Sequence, residues 1–305
     1  MDPTLTPQDN GFAPLKRRRF NRWIPTLFLA AASISIVTTF GIVATLVGDA
    51  ARFFRQVPLR EIFSTKLAPL AADPSFGILP LINGTVITSL IAMLVATPVG
   101  LTTAIYLGEF ASERARRLLK PVIEVLAGIP TIVYGFFAYS LVTPLLKEII
   151  PSLGAKNALS PGIVMGIMII PMVTSLSEDA MRAVPASIRD GALALGLTRL
   201  ETALHVVVPA ALSGIVASVT LGISRAIGET MIVAIASGSS KNFTFDIRES
   251  MQTMTGYIVE FTSGDAGSGT LGYYSLYAVG LLLFVFTLLL NLAAHWISRR
   301  YREVY

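Results

Sequence analysis

Apolar runs of bilayer-crossing length recur along this chain and limit its fold more than any other feature. They occupy about 23–47, 83–107, 122–146, 161–177, 209–237 and 272–297. Crossing about 30 Å of hydrocarbon as a helix takes roughly 20 residues, and a helix satisfies its own backbone polar groups where water is absent. The expected fold is therefore all-α, a polytopic membrane bundle of six transmembrane helices. Only 14% of residues are charged, against roughly 25% in soluble domains. Cysteine is absent, which excludes disulfide frameworks, thiol catalysis and Cys-based metal sites.

Three regions follow: a polar, basic tail over 1–22, the first span with an outer loop over 23–82, and a core over 83–305. The first run, of about 25 residues, exceeds the 7–15 of a cleavable signal, so it reads as a retained span. With the N-terminus cytoplasmic, the inner segments hold 15 Lys and Arg and the outer loops 8. That asymmetry puts both termini in the cytoplasm, and it accounts for the net charge of +5 without nucleic-acid binding. Between the spans, ARFFRQVPLREIFSTKLAPL (51–70) is aromatic and basic, as an interfacial segment is. Ile247, Met251, Met254, Ile258 and Phe261 have helical spacing and predict a short amphipathic helix over 247–261.

The segment SIRDGALALGLTRLETALHVVVPAAL (187–212) is too polar to span and well punctuated. Ser187–Leu195 reads as a helix, Gly196 as a left-handed stop, and Thr198-x-x-Glu201 as a capping box opening a second helix. The loop resembles the EAA signature of ABC-importer permeases. Asp190, Gly191 and Ala192 stand where that motif has Glu-Ala-Ala; Gly196 and Val206-x-Val208-Pro209 follow at its spacing. YLGEFASERARRLLKPVIEVLAGIPTIVYGFF (106–137) and SRAIGETM (224–231) narrow the likeness to permeases of the phosphate ABC importer, PstC-type rather than PstA-type. The resemblance runs from about Asn83 to Arg300.

The resemblance implies an ABC type I importer permease fold in a prokaryotic plasma (inner) membrane, with a PstA-type second permease, two ATP-binding subunits and an external phosphate-binding protein. It implies that ATP and Mg are held by the ATP-binding subunits. It also implies that 187–205 is the coupling element, with Asp190, Gly191, Ala192 and Gly196 facing the ATPase. The residues agree as far as they go. No Gly-Lys pair exists, so this chain lacks the phosphate-cradling loop of ATP-binding proteins. His205 and His295 form no H-E-x-x-H motif, and no hydrolase elbow is visible, so no enzymatic activity and no cofactor of its own are expected.

Two full charges, Arg225 and Glu229, lie within the fifth run. Each costs about 2.5–3.5 kcal/mol at a helix centre. On an unbroken helix they share a face and can pair, with Ser218, Gly222 and Gly228 beside them. In one reading Arg225 gives an oxyanion pathway its positive potential, and Glu229 restrains it so that the anion is released. In another the pair merely fastens helices of a membrane anchor or signalling subunit. Molybdate and sulfate compete with phosphate as cargo, and an autonomous channel or ion-driven carrier would need no docking loop.

Overall fold

The computed structural model describes residues 17–265, 267 and 269–300. The tail before residue 17 and the residues after Arg300 lie outside this range. The chain divides into two units, 1–48 and 49–305. Helix α1 (Arg17–Phe54) provides the described part of the first unit, and its last turn opens the second. Trp23–Phe54 is apolar and long enough to cross a membrane.

In the second unit, spanning helices α2 (Leu79–Phe110), α4 (Thr131–Ile149) and α5 (Leu159–Arg182) are joined by shorter ones. These are α3 (Glu113–Gly128), α6 (Ala186–Ala194), α7 (Arg199–Ala210) and α8 (Leu212–Ile227), α9 (Met231–Ala236) and α10 (Met254–Glu260). The last is α11 (Leu271–Arg300). Among the described residues five helices pass as spans, or six when the bent pair α7–α8 counts as one. A two-stranded hairpin, β1 (Leu67–Ala68) with β2 (Ser75–Phe76), pairs antiparallel with Leu67 opposite Phe76.

The centre is the α2–α5 pair. Ala92 and Ala96 of α2 pack with Val164, Met165, Met168, Ile169 and Val173 of α5, joined by Ile232 and Val233 of α9. Backbone approaches backbone here: a Cβ on Gly166 would stand 2.7 Å from the Ala92 carbonyl oxygen. Small residues at such seams compensate for the weak hydrophobic drive between helices in lipid. Thr174 Oγ1 of α5 adds a hydrogen bond to the Gly100 carbonyl of α2 at 3.2 Å.

Three expectations are corrected. The third span begins at Thr131, not 122. Pro130 has extended backbone (φ −57°, ψ 137°), which separates α4 from the amphipathic α3. The fifth span is not one rod: α7 and α8 meet at 73°, and α8 stops at Ile227 before α9 restarts at Met231. The amphipathic helix over 247–261 shrinks to Met254–Glu260, capped by Thr253 Oγ1 on Gly256 N at 3.0 Å. Before it, 239–253 is non-helical because its backbone bonds outward. Leu159 N donates to Ile247 O at 3.1 Å, and Gly154 N to Arg248 O at 2.9 Å. The outer segment 51–82 is packed: Phe53, Val57, Ile62, Leu67 and Phe76 share one core with Met254 and Tyr257 of α10, with Phe261 just after it, and with Val279 of α11.

Candidate functional site

The two charges of the fifth run do not pair, because the helix that would align them ends between them. Gly228 closes α8 (φ −84°, ψ −2°). Glu229, buried, turns its side chain to the start of α9, where Oε1 accepts from Met231 N at 3.1 Å and Ile232 N at 3.3 Å. Those N–H groups have no partner within a helix that starts there, and a carboxylate suits that positive end. The Glu229 carbonyl accepts from Thr255 Oγ1 of α10 at 2.7 Å, which pins the break from outside α8.

Arg225 is left exposed in the last turn of α8. Its Nη2 lies 3.6 Å from Met168 Sδ of α5, a weak acceptor. Among the described residues no carboxylate comes within ion-pair distance of it. Arg225 lies about 20 Å along the axis from Leu212, at 1.5 Å per residue.

The other residues expected beside it divide. Gly228 is exposed with Arg225. Ser218 and Gly222, expected on the same pathway, are buried in helix packing instead. Ser218 Oγ meets Ser177 Oγ of α5 at 2.7 Å, and a Cβ on Gly222 would stand 3.2 Å from Ile169 Cγ2 and Met93 Cε. Helical spacing put them within reach of Arg225, but the α2–α5 pair covers that side of α8. Sequence reasoning missed Met168, which supports the guanidinium; nothing in the order of residues marks it.

At the opposite end of α5, the helix–glycine–helix pattern is present. α6 closes at Leu195, Gly196 has φ +90°, and Thr198 and Glu201 form both bonds of a capping box. Thr198 N and Oγ1 donate to Glu201 Oε2 and hold its carboxyl below the usual range. Asp190, Gly191 and Gly196 are exposed, as are Leu193, Leu195 and Leu200. Ala192 is not with them: it is buried, on the face that holds α6 to the bundle.

Two ionic clusters at this end also escaped the sequence, since their members are far apart along the chain. Arg189 of α6 reaches Glu109 at the end of α2, Nη2 to Oε1 at 3.0 Å. It also donates to the carbonyls of Met181 (2.7 Å) and Val184 (2.6 Å), where α5 ends. Glu178 of α5, fully buried, has Lys120 Nζ at 3.0 Å, Arg116 Nε at 3.7 Å and Arg182 Nη1 at 3.8 Å. These are contacts between charges, for neither Glu178 oxygen has a directed hydrogen bond. Burial lowers the Lys120 pKa, but Glu178 and Asp179 outweigh it and leave it raised. Among the described residues no His, Asp and Glu group could hold a metal ion.

Residues 96–303 match the family described as binding-protein-dependent transport system inner membrane component. The chain is 33% identical over 277 residues to a probable ABC transporter permease protein, YqgH, of Bacillus subtilis, covering 90% of this chain and 87% of that one. It is 30% identical over 311 residues to the phosphate transport system permease protein PstC of Xylella fastidiosa, covering 94% of each. To PstC 1 of Mycobacterium tuberculosis it is 35% identical over 246 residues, 74% of this chain and 73% of that one. In fold it is similar to a chain from a bacterial ABC transporter involved in the import of the acidic polysaccharide alginate. The TM-score is 0.63 at 14% identity, over 94% of this chain and 100% of that one. A chain of the inward-facing MetNI methionine ABC transporter gives 0.55 at 17% identity, over 74% and 95%.

Proposed function

Because this chain belongs to the family of binding-protein-dependent transport system inner membrane components, we propose that it carries inorganic phosphate into the cytoplasm as one membrane subunit of an ATP-driven importer. It is a transport subunit and not an enzyme; ATP hydrolysis lies in partner subunits. The phosphate assignment draws on relatives named as phosphate permeases, and one observation carries it. A guanidinium stands exposed in a broken span, unneutralised by any described carboxylate. A planar fork of donors within a span suits an oxyanion.

Arg225 then supplies the attractive potential, and Gly228 leaves the helix end open beside it. Glu229, held on the α9 N–H groups, adds a fixed negative field close by without quenching the arginine. Attraction without tight capture is what a site needs if it must release its cargo. Asp190, Gly191 and Gly196 present α6 and its turn to an ATP-binding subunit, while Ala192 anchors α6 from behind. The working complex contains a PstA-type second permease, two ATP-binding subunits holding ATP and Mg, and an external phosphate-binding protein. Both termini, including the tail through residue 22, lie in the cytoplasm of a prokaryotic cell. ATP binding closes the ATPases and α6 transmits the motion; the spans open outward to take phosphate, and hydrolysis restores the inward state.

Labelled-phosphate uptake by the reconstituted complex tests this, comparing wild type with Arg225→Gln and checking assembly by co-purification. Assembled Arg225→Gln complexes are expected to lose most uptake. Full uptake by them would remove Arg225 from the pathway. Transport of sulfate or molybdate but not phosphate would overturn the substrate.

A further inference from the structure

Arg189 is the most heavily bonded side chain at the α6 end of the bundle, and no step above uses it. It offers four donated N–H directions to three different places. Nε and Nη2 go to Glu109 at 3.0–3.3 Å, Nη1 to Val184 O at 2.6 Å and Nη2 to Met181 O at 2.7 Å. The side chains of Arg189 and Glu109 are only 20% and 10% exposed, so water competes little with these charge-assisted bonds. Otherwise α6 packs through Ile188 on the cluster that holds Ala104, Met181 and Val184, and lies against α7.

The alternative route from α6 into the membrane follows the backbone. It passes Gly196 at φ +90°, the capping-box turn, and the 73° bend between α7 and α8. Three changes of direction in succession make a poor push-rod. The route through Arg189 makes none. It ends on the Met181 carbonyl in the last turn of α5, the Val184 carbonyl just beyond that helix, and the terminal turn of α2; α2 and α5 share the central seam of the bundle. Thirteen residues before Met181, α5 carries Met168, on which Arg225 rests.

We propose that Arg189 is the positioning residue that converts movement of α6 into movement of the α2–α5 pair, and through Met168 into a change at Arg225. Its job is transmission; it touches neither phosphate nor the ATPase. This rests on the reading of α6 as the ATPase-docking element.

The test uses the complete reconstituted complex with Arg189→Gln, Arg189→Lys and Glu109→Gln. Three quantities are read: retention of the ATP-binding subunits on purification, ATP hydrolysis, and phosphate moved per ATP hydrolysed. Arg189→Gln is expected to keep docking and hydrolysis near wild type while the transport ratio falls about tenfold, within the usual range for coupling between sites. Glu109→Gln keeps both carbonyl bonds and an acceptor oxygen, so a smaller loss is expected. Arg189→Lys retains charge but cannot bridge three acceptors in a fixed fork, and is expected to fall between wild type and Gln. An unchanged ratio in assembled Arg189→Gln complexes overturns the proposal. So does loss of docking and hydrolysis together, which would make Arg189 a contact residue. Should wild type carry sulfate in place of phosphate, only the substrate reading fails, and the ratio is read on sulfate.

Discussion

Glu229 separates two roles that a charge in a membrane helix usually merges, and that separation is measurable. Replacing it with alanine strips the acceptor from Met231 N and Ile232 N at a site closed to water. An ordinary cap lost to alanine costs about 1 kcal/mol. Here two N–H groups lose their partner where burial raises the penalty to about 1–3 kcal/mol each. Allowing for relaxation, we expect about 2–4 kcal/mol. Glutamine keeps an oxygen in the same place and forfeits only the charge–dipole contribution, about 0.3–1 kcal/mol. At about 2–4 °C per kcal/mol for a chain this size, alanine lowers the melting midpoint by about 5–15 °C and glutamine by about 1–4 °C. Circular dichroism of the purified permease in detergent reads both, with uptake by the reconstituted complex beside it. Equal destabilisation by the two substitutions would refute the capping argument. A glutamine variant that is stable yet transports poorly would assign the lost charge to the solute's path.

Further expectations concern the α6 end and the seam. Gly196→Ala meets no steric neighbour, yet it forces a β-carbon onto φ +90°; it is expected to cost about 1 kcal/mol or more and to weaken retention of the ATP-binding subunits on a pull-down. Thr198→Ala removes the cap on α7 for about 1 kcal/mol, seen as faster hydrogen exchange over 199–202. The Glu201 carboxyl is lowered below 4.5 by its bonds from Thr198, so the cap's contribution is present above that pH and is lost as pH falls through the lowered value. Protection of 199–202 relative to intrinsic exchange at each pH should therefore fall on acidification in wild type, and Thr198→Ala should flatten that dependence. Gly166→Ala places a methyl 2.7 Å from the Ala92 carbonyl oxygen and should cost about 1–3 kcal/mol as overpacking, read as a lower melting midpoint.

Legibility in the sequence followed the range of the interactions. The Gly196 stop and the Thr198–Glu201 box act within four residues, and both formed as read. The number of long apolar runs also carried through, because hydropathy is a local sum. The break at 228–230 did not, since Ile227 and Met231 keep the run apolar while Glu229 bonds forward rather than back. A carboxylate two residues before a fresh apolar turn was the available signal. The 247–253 segment misled because apolar residues at helical spacing look alike whether their backbone bonds inward or, as at Ile247 and Arg248, to Leu159 and Gly154. Arg189 with Glu109, and Glu178 with Lys120, lie 80 and 58 residues apart, and no local pattern joins such partners. Ser218 and Gly222 are buried against α5 and α2, a packing that only the neighbours decide.

The α2–α5 seam also bears on how such a chain tolerates change over generations. At Gly166 the obstacle to any side chain is a backbone oxygen, which cannot swing aside as a side-chain tip does. A lineage that loses this glycine must part the two helices, and α8, which carries Arg225, packs on both of them. Random substitution would thus record transport defects at positions that never meet the solute, mapping a fault line along the packed face as sharp as the one along the pathway.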